Sequence, residues 1–478
     1  MKSDEFRRYG YQAIDRIANY MEQLESDAIR PVQSQVRPGE IYASMPEDLA
    51  TEPESFESIL ADFDRIIVPG ITHWRSPSFF GYFPANVSGP SILGELLAAG
   101  FGVQGMMWTT SPSCTEVEMR TLDWLVQACG LPEHFRSSGP GGGVIQGSAS
   151  EAAVCAMIAA RERLRDSCDD SRSLCGYIST QTHSSIEKGW KVLGLVPEHL
   201  RKLETHPDGS FDVEAFRAAV TSDITAGRTP CFAVGTLGTT STAAIDPIRD
   251  LGEICRRHGI WFHVDGAYGG SALICPDQRS MADGLDLADS YCFNPHKWLL
   301  VNFDCDCFFV ADRRPLNAAM SILPEYLRNA ATDSGAVIDY RDWQIPLGRR
   351  FRSLKLWMTL RWYGLSGLQR FVRRKTELGE ELSRMVASSS DFELAAPPRL
   401  ALVCFMHRDG DDTTREVLRR CNESGEMLLS HTSLNVNGVS RYVIRMHTSS
   451  ALTELEHLTK AWRKIESVAS EIRRTGLR

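Results

Sequence analysis

The sequence predicts an α/β fold: a mainly parallel sheet covered by helices, with a helical N-terminal segment and a small α+β C-terminal domain. Three observations predict it. From about residue 120 to 310, helix-like and strand-like segments alternate. Residues 1–88 carry only helical periodicity, broken by proline-rich connections. Residues 365–478 pair strand-like runs with two long amphipathic stretches. The expected division is therefore 1–88, 89–364 and 365–478.

In the first part, Phe6, Tyr9, Ala13, Ile17, Tyr20 and Leu24 recur at three- and four-residue spacing, and Pro31 and Pro38 follow. Phe56, Ile59, Phe63 and Ile66–Ile67 mark a second helix, closed by Pro69–Gly70. So short a helical segment with so many apolar residues is expected to pack on something else, a second subunit included. The aromatic run from Ser76 to Pro84 suits either a core cap or the wall of an apolar pocket. Helices are expected at 115–129, 150–164, 211–221 and 247–258, and strands at 176–178, 231–234 and 260–265. Further on, a helix at 366–387, a strand at 399–406 and a strand pair near 426–446 precede a final helix. That helix carries Leu452, Leu455, Leu458, Trp462, Ile465 and Ile472 on one stripe.

At 478 residues the chain is too long for one simple core. Its composition, 43% hydrophobic and 24% charged, is that of a globular protein. A net charge of −9 argues against a nucleic-acid partner. The 13 cysteines are scattered, which suits a reducing, cytoplasmic compartment. Cys305 and Cys307 lack a second pair at zinc spacing, so no metal is expected. The N-terminus is polar, without a signal-like apolar core, and no apolar run is long enough to span a membrane.

The chemistry gathers around Asn294-Pro295-His296-Lys297-Trp298, set between the apolar runs Tyr291–Phe293 and Leu299–Val301. A lysine there either snorkels to water or is held in a dry pocket, where a lowered pKa makes it a Schiff-base nucleophile. Asp265 ends another buried-looking run, 32 positions earlier, so the two can face one cofactor. Gly139 to Gly143, followed by Gly147-Ser148-Ala149-Ser150-Glu151, opens a helix. It is either a serine-capped helix after a glycine turn or a phosphate cradle built on free N–H groups. His183, after the strand at 176–179, is either a satisfied histidine or a group stacked on a flat cofactor.

Together these motifs resemble the group II pyridoxal phosphate decarboxylases. They are Gly141 to Glu151, His183-Ser184-Ser185, His263-Val264-Asp265-Gly266-Ala267-Tyr268 and Asn294 to Trp298. Gln344 to Ser353 narrows the resemblance to the aromatic L-amino acid decarboxylases. The likeness runs over almost the whole chain, in order and with family spacing.

The resemblance implies a fold type I (aspartate aminotransferase-like) homodimer with a seven-stranded sheet and active sites at the subunit interface. It implies that Lys297 carries pyridoxal 5'-phosphate as an aldimine and that Asp265 pairs with the pyridine nitrogen. His183 would stack on the ring, with Thr240 nearby. Ser148, Ala149, Ser150, Asn294 and His296 would hold the phosphate. Trp74, Tyr82, Phe83, Pro84 and Ala85 would wall the substrate pocket, with Val103 to Met106 reaching across from the partner. Ala85 stands where many relatives have Thr, and Gly266 where they have Ala or Ser. Tyr326, in a polar small-residue stretch that reads as a loop, would cover the site and help protonate Cα. Retention of Tyr326 and His183 favours decarboxylation to an amine over oxidative formation of an aldehyde. Gly348 leaves room for an indole, with Dopa, tyrosine and phenylalanine also open.

Overall fold

The computed structural model describes residues 1–166, 171–322 and 327–475. Its centre is a seven-stranded sheet of β1 Gly142–Gln146, β2 Leu174–Ser179, β3 Leu200–Leu203, β4 Thr229–Thr236, β5 Trp261–Asp265, β6 Ser290–Phe293 and β7 Asp306–Val310. The spatial order is β1-β7-β6-β5-β4-β2-β3. Strands β3, β2, β4, β5 and β6 are mutually parallel. β7 runs against both of its neighbours, β1 and β6. Helices cover both faces, so the central strands are buried throughout and read as unbroken apolar runs. Alternate residues of β7 serve opposite cores: Cys307 and Phe309 join one, Phe308 and Val310 the other.

A second sheet, wholly antiparallel, has the order β10-β11-β9-β8, from β8 Phe392–Leu394, β9 Leu402–His407, β10 Ser430–Val436 and β11 Val439–His447. Helices Asp411–Glu423 and Leu455–Thr475 supply Val417, Cys421, Leu458, Trp462 and Ile465 to its core. Helix Arg352–Ser388 joins the two sheets and is broken at Gly364, whose φ of 62° and ψ of 170° leave helical space.

Several expectations need correction. The glycines at 141–143 lie not in a turn but at and in β1, where a Cβ on Gly143 would stand 2.7 Å from the Phe309 ring. β3 had no sequence signal: its Leu-Arg-Lys-Leu is a partly exposed edge without a buried run. In the last helix, Leu452 precedes the first turn and Leu455 is 40% exposed, while Ala461, Val468 and Ala469 complete the buried stripe. Of the first helix's stripe only Tyr9 and Leu24 are buried; Phe6 is 63% exposed. The exposed apolar set continues through Tyr11, Ile14 and Ile17 and, on helix Gly89–Phe101, through Leu93, Leu96, Leu97 and Phe101. Among the described residues, no helix is long and apolar enough to cross a membrane, and no cluster of His, Cys, Asp or Glu could hold a metal ion.

Three buried histidines set an acid limit. Burial lowers His263 to about 4, and His296 and His447 to about 3. In the unfolded chain each binds a proton near 6.5. Between pH 6.5 and 4 the unfolded state therefore holds more protons, and stability falls as pH falls. The expected loss is on the order of several kcal/mol, measured by urea denaturation across that range. A His447→Gln variant is expected to flatten the dependence; an unchanged slope would count against it.

Candidate active site

A cavity of about 240 Å³ opens at the carboxyl ends of β1, β2, β4, β5 and β6, where a parallel sheet binds ligands. Lys297 stands on the one-turn helix Pro295–Trp298 that leaves β6. Asp265 is the last residue of β5. His183 follows β2, Thr240 follows β4, and Ser148 follows β1. These residues share the cavity lining with Ala149, Ser150, Asn294, His296 and Phe83.

Lys297 Nζ lies 5.6 Å from the centre of the Phe83 ring. Burial lowers its pKa from the ordinary lysine value, while the Asp265 charge opposes the shift. The fall follows from losing water around an ammonium, and it raises the share of nucleophilic amine. Asp265 Oδ1 accepts the Ala267 N–H at 2.9 Å, which fixes the carboxylate at the strand end. His183 Nδ1 accepts the Ser185 N–H at 3.2 Å and lies 2.8 Å from the Ser185 hydroxyl. Burial lowers its pKa, so the ring is neutral and carries its proton on Nε2. His296 follows the same logic: its Nδ1 accepts the Cys305 N–H at 3.0 Å.

At the cradle, Ser148 caps helix Ala149–Arg163 by accepting the Glu151 N–H at 3.4 Å. Glu151 Oε2 accepts the Gly147 N–H at 3.0 Å. A Cβ on Gly147 would stand 3.2 Å from Asp304 Oδ2, so the backbone there is tightly enclosed. Beneath the site, a Cβ on Gly266 would meet the Tyr291 ring at 2.8 Å. The Tyr291 ring thus fills the space a larger residue at 266 would need.

The aromatic loop is held from the small sheet. Tyr82 N–H donates to Ser430 Oγ at 2.9 Å, and Phe80 N–H to the Leu428 carbonyl at 2.9 Å. Phe83 stacks on Tyr268 at 3.7 Å, and Tyr268 on Trp298 at 4.9 Å. Trp74, Tyr82, Pro84 and Ala85 lie on or beside this loop but do not line the cavity; Trp74 stacks on Tyr82 at 5.7 Å. Val103, Met106 and Gly348 also lie outside the lining, on two segments tied together. Gly105 N–H donates to the Arg349 carbonyl (2.9 Å), Arg341 N–H to the Met106 carbonyl (3.0 Å) and Arg349 N–H to Gln104 Oε1 (2.7 Å). Tyr326 lies outside the described residues.

Sequence reasoning missed two organising residues. Asn86 Nδ2 donates to the carbonyls of Lys297 (2.7 Å) and Ser449 (2.9 Å), and its Oδ1 accepts the Ala451 N–H (2.8 Å). One amide thus ties the lysine's own peptide to the C-terminal unit. Arg445 is buried and donates to the carbonyls of Thr240 (2.5 Å) and Ser241 (3.0 Å) and to Ser430 Oγ (3.0 Å). Its signal was a charge inside the apolar run Val443 to Met446.

A half-buried lysine beside a carboxylate, two neutral histidines and a helix N-terminus is the donor set for a carbonyl cofactor bearing a phosphate. Residues 38–408 match the pyridoxal-dependent decarboxylase conserved domain, and the chain belongs to that family. Within it, the chain is a group II carboxy-lyase of the aromatic L-amino acid decarboxylase type, dependent on pyridoxal phosphate. It is 44% identical to phenylacetaldehyde synthase of Arabidopsis thaliana, covering 98% of this chain and 97% of that one. It is 41% identical to aromatic-L-amino-acid decarboxylase of Mus musculus, covering 99% of each. A crystal structure of Oryza sativa TDC with PLP and tryptamine superposes with a TM-score of 0.95 at 37% identity, over 99% of each chain.

The residues present fit this cofactor. The first turn of helix Ala149–Arg163, with Ala149 and Ser150, and the Asn294 amide both line the cavity, so N–H donors border the space a phosphate would fill. Lys297, Asp265 and His183 would hold its reactive end and ring, and Ser148, Ala149, Ser150 and His296 its phosphate.

Proposed function

We propose that this chain removes the carboxylate of an aromatic L-amino acid as CO2 and releases the arylalkylamine, with tryptophan and related indoles favoured. Dopa, tyrosine and phenylalanine complete the expected range. The observation that carries the reading is the meeting of Lys297, Asp265 and His183 in one cavity walled by Phe83 and Tyr268. Bound pyridoxal phosphate supplies the electron sink for the bonding pair left when CO2 departs. Lys297 would hold the cofactor through its amine. Asp265 would keep the pyridine nitrogen protonated. His183 would lie beside the ring as a neutral group that brings no competing charge. Tyr326 delivers the proton that Cα gains, so one proton is consumed for each CO2 released. Among the described residues, the cavity lining holds Lys297 but no arginine, so it offers no basic cluster for an acidic substrate such as glutamate.

The exposed apolar helices at 3–25 and 89–101 support a homodimer in which residues 1–88 pack on the partner. In that assembly Val103, Met106 and Gly348 complete the partner's pocket. Twelve buried cysteines outside any disulfide, among the described residues, support a cytoplasmic enzyme.

A second reading rests on the 44% identity to phenylacetaldehyde synthase: oxidative decarboxylation and deamination on the same scaffold. That reaction consumes O2 and water and yields aldehyde, CO2, ammonia and hydrogen peroxide. Assaying CO2, amine, ammonia and peroxide with Trp, 5-hydroxy-Trp, Dopa, Tyr, Phe and Glu separates the two. Amine equal to CO2, without ammonia, is expected; ammonia equal to CO2 would transfer the chain to the second reading.

Gly348 tests the substrate preference. A Cβ there would stand 3.1 Å from Gln104 Nε2, so Gly348→Ser narrows this corner. The ratio of kcat/KM for tyrosine over tryptophan is expected to rise about tenfold or more, the usual worth of a small steric change. An unmoved ratio would remove Gly348 from the specificity determinants.

A further inference from the structure

Asp306, the first residue of β7, is fully buried, and neither of its carboxyl oxygens has a hydrogen-bond partner. Its neighbours are fixed by sheet register. Gln146 of β1 is its paired residue on one side. On the other, Phe293 pairs with Cys307, and one step further Asn294 comes level with Asp306. Gln146 Oε1, Asn294 Oδ1 and the nearby Glu151 Oε1 are likewise buried without partners. Gln146 cannot turn its amide to help, because its Nε2 donates to the Trp343 carbonyl at 3.0 Å. An ionised Asp306 would therefore add two unmet acceptors to a group that already lacks donors. A protonated carboxyl supplies the missing donor.

We propose that Asp306 is a positioning residue: as the neutral acid it donates its carboxyl proton to Asn294 Oδ1 and so turns the Asn294 amide nitrogen toward the cavity, as a donor to the cofactor. The proposal rests on the reading of Asn294 as a cofactor-holding residue. Electrostatics agree. Burial raises the Asp306 pKa, Asp265, Cys305 and Glu151 push the same way, and Lys297 opposes them. No ion pair to Asp306 forms among the described residues. Asn294 is an N-cap whose side chain makes no capping bond, so nothing else fixes its amide. Were Asp306 ionised, the Asn294 NH2 would turn toward it and present an acceptor to the cofactor instead.

The test joins a spectrum to a binding measurement. Infrared difference spectra of the wild-type protein against Asp306→Asn, with and without cofactor, are expected to show a protonated-carboxyl stretch in the wild type alone, shifted in D2O. Asp306→Asn, which keeps a permanent donor toward Asn294, is expected to bind pyridoxal phosphate within about twofold of wild type. Asp306→Val, without a donor, is expected to bind about tenfold more weakly, the loss of one hydrogen bond. Absence of the carboxyl band would overturn the proposal, as would Asp306→Asn binding no better than Asp306→Val. The spectrum and the Asn variant decide the matter even where Asp306→Val fails to fold. A wild-type chain that binds no pyridoxal phosphate would refute the cofactor reading of the site, while the band would still report the state of Asp306.

Discussion

Lys297→Ala is expected to abolish decarboxylation, lowering kcat by about 10⁴-fold, the upper range for loss of a positioned reacting group. The visible absorption of the lysine-bound cofactor should vanish with it, and borohydride should no longer fix cofactor to the chain. Lys297→Arg is expected to fail as fully. Arginine keeps the charge, but its guanidinium stays protonated and cannot attack a carbonyl carbon. The wild-type amine is primed by its surroundings: burial beside Phe83 and Asn294 lowers its pKa, against the opposing charge of Asp265. Retention of the absorption band in Lys297→Ala would move the cofactor attachment elsewhere.

The second large effect is on stability. Arg349 and Glu118 form an ion pair at 2.7 Å with both side chains wholly inaccessible to solvent. Arg349 also donates to the Ile145 carbonyl (2.9 Å) and Gln344 Oε1 (2.9 Å), while Glu118 Oε1 accepts the Ile145 N–H (2.7 Å). The pair thus ties the Gln344-to-Ser353 segment to β1 and helix Pro112–Cys129. Arg349→Met leaves a carboxylate buried without its cation and is expected to cost about 3–5 kcal/mol. The double variant Glu118→Gln/Arg349→Met should recover much of that, because it removes the stranded charge. Chemical denaturation of both proteins is the check, and equal loss in the single and double variants would show that the charge is not what matters.

Much of this was legible in the chain because fully buried strands announce themselves. Cys231 to Val234 and Trp261 to Val264 are runs that only a doubly covered strand needs. Lys297, Asp265 and His183 stood out because polar groups ending such runs face the ligand edge of the sheet. What stayed hidden depends on partners distant in sequence. Asn86 is an ordinary polar loop residue until the fold brings the carbonyls of Lys297 and Ser449 to it. Asp306 passed as the residue between Cys305 and Cys307, since orphaned acceptors cannot be seen before strands β1, β7 and β6 are in register. The direction of β7 was hidden too, because periodicity carries no sign.

The Asn86 bridge has a thermodynamic consequence. Because the peptide of Lys297, the residue proposed to carry the cofactor, and the segment Ser449–Ala451 share one amide, cofactor capture and docking of that segment would be linked equilibria. Whatever free energy the cofactor contributes by ordering Lys297 is partly lent to closure of the 400–475 region. Removing the cofactor should then show as faster proteolysis of that region.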